Sequence, residues 1–309
     1  MKTLVLVNPA SARGKTGQQW PRLEPEFRQA LGEFELATTS RAGQATELTR
    51  AAILAGTERV ICVGGDGTNH EVVQGFFDPQ TRAPINPEAC FAFIPRGTGR
   101  DLGRSWQMGT DLAPQLQRIA SSPIHRMDLI SCDFTTAEGP VWRVCLNAAS
   151  FGQGGDLVHR VDRWKWTGGG GLPFVLAGIE GAMFVKPWEI ELRIDDGPWV
   201  RDSVRNLGAF NGRFQGGGME FAPQAILNDG LLEVFALGRV GAVKSVAIGI
   251  ASFYKNVEGM SGVWTRQARR VEVRPIEGQK PMWVELDGES PGTAPASFEV
   301  MPSALRVAL

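Results

Sequence analysis

Val60-Ile61-Cys62-Val63 runs directly into Gly64-Gly65-Asp66-Gly67-Thr68-Asn69-His70-Glu71. Four apolar residues, three of them β-branched, read as a buried strand. The glycines at 64, 65 and 67 then let the backbone turn sharply and admit φ > 0. Thr68 to Phe77 reads as the following helix. A helix starting near Thr68 aims its N-terminal donors at the turn, a geometry that suits phosphate. Asp66, fixed in that turn, could hold a magnesium ion or its waters. The same residues also read as a tight strand-to-helix turn in which Asp66 is only a cap.

Working outward, the arrangement recurs. Phe91-Ala92-Phe93-Ile94 is a second apolar run, and it ends in Pro95-Arg96-Gly97-Thr98-Gly99-Arg100-Asp101-Leu102. This is again strand, glycine-rich turn, then a helix start with an aspartate in its first turn. Leu4 to Val7 reads as a strand, Trp20 to Leu31 and Ala45 to Ala55 as helices. Strand–helix alternation implies a parallel, helix-covered sheet. Two such turns at successive parallel strands face one another across the C-terminal edge of the sheet, where α/β folds bind ligands. Arg96 and Arg100 would add positive charge there for a polyphosphate, or else belong to a solvated loop.

After about residue 130 the texture changes. Val141–Asn147, Trp188–Ile194, Leu231–Leu237, Arg270–Arg274 and Trp283–Leu286 are strand-length. Asp196-Gly197, Asp229-Gly230 and Asp287-Gly288 are hairpin or tight-turn signals. Leu172–Phe184 and Ala242–Tyr254 are the best helices of this part, and Gly168–Gly171 reads as a loop joint. The change of texture divides the chain into an α/β part, residues 1–130, and a mostly antiparallel β part with one or two helices, residues 131–309.

The chain has 309 residues, 32 Lys plus Arg and 33 Asp plus Glu, for a formal net charge of -1. That balance argues against nucleic acid as a partner, which calls for a basic excess. The four cysteines lack close pairing, and with the three histidines they share no zinc-ligand spacing. This is read as a reducing, cytoplasmic setting, with Met1–Asn8 as a first strand and not a leader. No run reaches the ~20 apolar residues of a spanning helix, so contact with a membrane would be peripheral, at the inner face. Arg13-Gly14-Lys15-Thr16 fails as a P-loop because Pro9 stands where the first glycine is needed. Gly65 and Gly67 are followed by His70, so no G-x-G-x-x-G forms. His125-Arg126-Met127-Asp128 carries an insertion relative to a protein-kinase catalytic loop and lacks its downstream asparagine.

Taken in order, Val7-Asn8-Pro9-Ala10-Ser11, Gly64 to Val72, Pro95 to Leu102, Met127-Asp128-Leu129, Asn228-Asp229-Gly230-Leu231-Leu232 and Leu286-Asp287-Gly288-Glu289 resemble the diacylglycerol kinase catalytic family. The G-G-D-G-T loop alone is shared with NAD kinases and phosphofructokinases, whereas the ordered set is specific and spans almost the whole chain. The resemblance implies an ATP- and Mg²⁺-dependent kinase that phosphorylates a hydroxyl of a diacylglycerol-like lipid at a membrane surface. It implies residues 1–130 as a nucleotide-binding α/β domain of Rossmann-like, three-layer type, and residues 131–309 as a mostly antiparallel β-sandwich domain that binds the acceptor, its last strand free to pack back on the first, with the active site in the cleft between the two. It places Asn8, Gly65, Asp66, Gly67, Thr68 and Thr98 on ATP, together with Thr39. Gly64, Glu71, Gly97 and Arg100 are counted with the same loops. It implies a magnesium water network at Asp66, Asp101 and Asp128, and a second, structural magnesium at Asp229 with the carbonyls of Ile226 and Leu231. Glu289 is the implied general base, with Asp287 as orienter or metal partner. Alternatively, Asp287-Gly288 merely turns a hairpin between Trp283–Leu286 and Phe298–Met301. Arg100 departs from the asparagine that many relatives carry. A sphingoid or soluble acceptor such as NAD, a nucleotide-binding regulator without turnover, and a homodimer all remain open. The tryptophans near Trp164, Trp166 and Trp188 line either an acceptor pocket or the core.

Overall fold

A computed structural model describes residues 1–164, 178, 180, 181, 183 and 186–309. The chain forms two compact units, Met1–Leu129 with Pro302–Leu309, and Ile130–Met301.

The first unit runs β1 (Thr3–Val7), α1 (Lys15–Leu31), β2 (Glu35–Thr38), α2 (Gln44–Leu54), β3 (Arg59–Gly64), α3 (Asp66–Gln74), β4 (Cys90–Pro95), α4 (Asp101–Ser105) and α5 (Leu112–Ser121). Its sheet has the order β2-β1-β3-β4, and the C-terminal segment lies beside β4 with Arg306 opposite Cys90. Every pairing is parallel. β1, β3 and β4 are buried along their whole length, as continuous apolar strands of a helix-covered parallel sheet must be. β2 is largely exposed and edges the sheet. The register aligns Val7 with Val63 and Thr38, and Val63 with Ile94. The four strands therefore end level. Helix α1 begins five residues before the expected Trp20, after Gly14 at φ 82°, and α3 begins at Asp66, not Thr68.

The second unit contains β5 (Ile124–Thr136), β6 (Gly139–Cys145), β7 (Ala148–Gly152), α6 (Gln153–Trp164), β8 (Trp188–Ile194), β9 (Val200–Phe210), β10 (Phe214–Gln215), β11 (Met219–Glu220), β12 (Leu232–Gly238), α7 (Ala242–Ala251), β13 (Val263–Ala268), β14 (Arg270–Pro275), β15 (Trp283–Leu286) and β16 (Glu289–Ala308). β5 starts, and β16 ends, in the first unit. Antiparallel pairings close a circuit through β9, β7, β15, β16, β14, β8 and back to β9. The core between these strands is built on Phe134, Phe151, Trp188, Leu207, Val284 and Phe298. The rings of Phe151 and Phe298 stack at 4.2 Å between centroids. Trp188 is thus a core residue, while Trp166 and the side chain of Trp164 fall outside the described residues. So do Gly168–Gly171 and the helix expected over Leu172–Phe184, apart from 178, 180, 181 and 183, which are helical. Among the described residues no helix is long and apolar enough to cross a membrane.

Candidate active site

Because β1, β2, β3 and β4 end level, the residues that follow them share one edge of the first unit's sheet. These are Asn8, Thr39, Gly65 and the Arg96–Gly97 turn. Asn8 donates from Nδ2 to Thr68 Oγ1 at 2.9 Å and accepts the Ala10 N–H at its Oδ1 at 3.0 Å. Its side chain thereby binds the end of β1 to the first turn of α3. Thr39 is buried and donates its N–H to Val7 O at 3.0 Å. Gly65 caps α3 in extended backbone, so the first N–H groups of that helix, which have no carbonyl partner within the helix itself, lie beside Gly65, Asp66 and Gly67. The second turn lies directly against the first: Arg96 N–H donates to Gly64 O at 2.6 Å. A Cβ on Gly97 would stand 2.6 Å from the Gly65 Cα, and one on Gly64 would meet Thr68 Cβ at 2.6 Å. The glycines are there because two main chains and a threonine leave no space for a methyl group.

The acidic residues divide into separate roles. Asp66 Oδ2 lies 2.6 Å, and Asp101 Oδ2 3.7 Å, from where a Cβ on Gly99 would be. Both carboxylates therefore border the second turn. Arg104 donates to Asp101 Oδ1 at 3.0 Å and to Gly99 O. Asp128 is fully buried, and its Oδ1 accepts the Ser303 N–H at 2.6 Å, which ties the returning C-terminal segment to the unit. Glu71 Oε2 accepts the Ala45 N–H at 3.2 Å and its carbonyl accepts the Thr46 hydroxyl at 2.8 Å. It caps α2 and locks that helix to α3. No group of three His, Cys, Asp or Glu suited to a metal is assembled among the described residues.

The two arginines are also distinguished. Arg96 is partly withdrawn from water, and burial lowers its pKa. Arg100 takes φ 58°, ψ 29° at the start of α4 and donates from Nη2 to Gly109 O at 2.8 Å. Thr98 is exposed.

In the second unit, Asp287 (φ 49°) and Gly288 (φ 94°) form the two-residue turn between β15 and β16, with Leu286 opposite Glu289. A type I′ hairpin requires positive φ at both positions. The partner of β15 is thus the start of β16 at Glu289–Thr293, not Phe298–Met301. The Asp287 carboxylate accepts three main-chain N–H groups: Leu146 at 2.9 Å, Asn147 at 2.9 Å and Ala148 at 3.2 Å. Glu289 is half-buried, and its carboxylate makes no hydrogen bond or ion pair among the described residues. Asp229 Oδ1 accepts the Leu231 N–H at 3.0 Å in an exposed turn, near the exposed Ile226.

One residue escaped the sequence reading. Glu285 is 3% exposed, and its Oε1 accepts the Gly288 N–H at 2.6 Å. Its Oε2 accepts the Ser150 hydroxyl at 2.7 Å and the Gln215 amide. A buried carboxylate is costly without such donors. The signal available was a glutamate between Val284 and Leu286 in an apolar strand.

Two family profiles match the chain. That of the diacylglycerol kinase catalytic domain covers residues 2–132, and that of the YegS C-terminal NAD kinase beta sandwich-like domain covers residues 147–309. Similar curated proteins include the "Probable lipid kinase YegS-like" of Stenotrophomonas maltophilia, 28% identical over 92% of this chain and 91% of that protein. The "Diacylglycerol kinase" of Bacillus subtilis is 26% identical over 95% and 91%. The fold is similar to that of a crystal structure described as a diacylglycerol kinase from Bacillus anthracis, with a TM-score of 0.72 and 18% identity, over 99% of this chain and 96% of that one. At that identity the likeness concerns the fold alone.

Proposed function

We propose, from the premise that the chain belongs to the diacylglycerol kinase catalytic family and carries a YegS-type C-terminal domain, that it is a lipid kinase moving the γ-phosphate of ATP to a hydroxyl of a diacylglycerol-like lipid. The observation that carries the nucleotide half is the seating of the Gly65 and Gly97 turns against each other at the edge of the parallel sheet. Phosphoryl transfer asks for positioning and charge neutralisation more than covalent help. The N–H groups opening α3 and the Asn8–Thr68 pair supply a rigid, donor-rich cradle for phosphate oxygens. Asp66 and Asp101 border that cradle with the hard oxygen ligands that magnesium takes. Bound magnesium would neutralise the polyphosphate, with Asp128 the third carboxylate the resemblance assigns to it. The structural ion falls to Asp229 with the carbonyls of Ile226 and Leu231, an exposed turn rich in oxygen.

Glu289 is assigned as proton acceptor. The acceptor hydroxyl gives its proton to the Glu289 carboxylate as its oxygen bonds to the γ-phosphorus, the bridging bond to the β-phosphate breaks, and ADP leaves. What favours Glu289 over Asp287 is hydrogen-bond availability: Asp287 already accepts three main-chain donors. Asp287 and Glu285 then hold the turn that carries Glu289. The test is transfer of labelled phosphate from ATP into a bacterial lipid extract, followed by identification of the product. A labelled phosphatidic acid is the expected result. Label confined to a soluble product, or ATP binding without any transfer, would reject the lipid assignment.

A further inference from the structure

Helix α7 leaves an apolar stripe in water. Residues three to four apart fall on one helix face, and Val243, Ala247 and Ile250 follow that spacing on the exposed side. Val243 is 86% and Ile250 54% exposed. In the turn that follows, Tyr254, the chain's one tyrosine, is 85% and Phe253 43% exposed. The opposite face is anchored, since Ile248 packs with Phe210, Phe235 and Leu237, and Ser245 donates to Gln153 at 3.3 Å. Isolated surface leucines and valines are ordinary, but a contiguous stripe of this kind marks an interaction surface.

Charge says what the surface fits. From Arg239 to Val257 the chain carries Arg239, Lys244 and Lys255 and no aspartate or glutamate. None of the three makes an ion pair among the described residues. Lys244 stands about 100° around the helix from Val243, on the flank of the stripe, with a long stem able to reach past it. Apolar stripe, flanking cations and aromatic residues together are the make-up of a helix lying in an anionic lipid interface. At ten residues α7 is about half the length that spans a bilayer. We infer that α7 and the Phe253–Lys255 turn are the surface by which the protein docks on an anionic membrane. This rests on the lipid-kinase reading for its purpose but not for its physics.

The test uses the full chain and sedimentable vesicles of phosphatidylcholine with an equal part of phosphatidylglycerol, without ATP or diacylglycerol. The unaltered protein co-sediments with these vesicles and much less with pure phosphatidylcholine. Val243→Asp with Ile250→Asp lowers the partitioning by about tenfold or more. Each of Lys244→Glu and Lys255→Glu lowers it by at least about fivefold. The double aspartate variant keeps its activity on a short-chain diacylglycerol dispersed as monomers and loses it on vesicle-embedded acceptor. Equal vesicle binding by the aspartate variant and the unaltered protein would overturn the inference, as would no binding by the unaltered protein. So would a sedimentation-velocity result in which the variant turns a dimer into a monomer and leaves vesicle binding untouched. Vesicle binding with no lipid phosphorylation would instead sink the kinase reading and leave this surface standing.

Discussion

The Gly65 and Gly97 main chains touch where β3 and β4 end: a Cβ on Gly97 would lie 2.6 Å from Gly65 Cα, and one on Gly65 3.1 Å from Gly97 Cα. Main-chain atoms cannot swing aside as a flexible side chain can, so a methyl group at either position forces the two turns apart. Gly97→Ala is expected to cost about 1–3 kcal/mol and to raise the KM for ATP more than it lowers stability. Gly65→Ala should follow in the same direction with a smaller effect. Gly249→Ala is the counterpart, since a Cβ there meets nothing within 4 Å inside α7. It should stabilise the protein by about 0.5–1 kcal/mol. Denaturant unfolding with ATP kinetics on the three variants decides this. A Gly97→Ala protein with unchanged KM would remove the two-turn cradle from the mechanism.

Two acids two residues apart should behave in opposite ways. Asp287→Asn replaces an acceptor of three N–H groups by an amide that can turn only one oxygen to them. Hydrogen bonds to charged acceptors are worth about 1.5–3 kcal/mol each, so a loss of about 2–4 kcal/mol is expected. Glu289→Gln removes no hydrogen bond and should leave stability and nucleotide affinity nearly unchanged while turnover falls by two orders of magnitude or more. Glu285→Gln lies between them, because it aims an amide NH₂ at donors that expect an acceptor. It should lower kcat with KM for ATP unchanged and cost about 1–3 kcal/mol of stability. An active Glu289→Gln protein would mean that another group accepts the proton.

The apolar runs of β1, β3 and β4 were legible because strands buried on both faces cannot avoid being continuously hydrophobic. β2 was not: Glu35, Leu36, Ala37 and Thr38 sit on an exposed edge, so burial imposed no pattern on them. The full length of β16 was hidden by Pro291, Pro295 and Pro302, residues that argue against a strand interior. α1 begins where Gly14 takes a left-handed φ, a feature of backbone conformation and not of residue spacing. At the candidate site, the glycine turns could be placed on strand ends from sequence alone. The role of Asp287 could not, since its partners at Leu146, Asn147 and Ala148 lie 139 to 141 residues away. Nor could Glu285, whose donors Ser150 and Gln215 come from other parts of the chain.

Arg100 invites a conservative test. Its φ of 58° lies in the left-handed region, where asparagine is enriched and long side chains are disfavoured by about 1 kcal/mol. The resemblance puts asparagine at this position in many relatives, and the backbone supplies a reason. Its guanidinium is committed to the Gly109 carbonyl, in an exposed contact of modest value. Arg100→Asn should therefore leave unfolding stability equal or slightly raised and change nucleotide affinity by no more than about twofold. A tenfold loss of ATP affinity would show instead that the arginine reaches the phosphates.

The four cysteines set a pH dependence. All are buried and free, and burial is the main force pushing each thiol up. Asp66 and Glu71 add to it at Cys62, and Asp287 at Cys132 and Cys145. At Cys90, Arg59 and Arg306 pull partly the other way. A raised thiol pKa means that the folded chain holds the proton longer than the unfolded chain does. Stability from this source is complete below the unfolded thiol value of about 8.5 and is lost as pH rises through and beyond it. Urea midpoints should fall steadily from pH 8.5 to pH 10, and a quadruple Cys→Ala variant should fall less steeply even if it starts lower. An aromatic disulfide reagent at pH 8 should leave the native thiols unmodified over minutes and titrate all four in denaturant. Rapid native-state reaction at Cys62, which sits at the foot of the Gly64–Gly65 turn, would mean that this turn opens far more often than its packing allows.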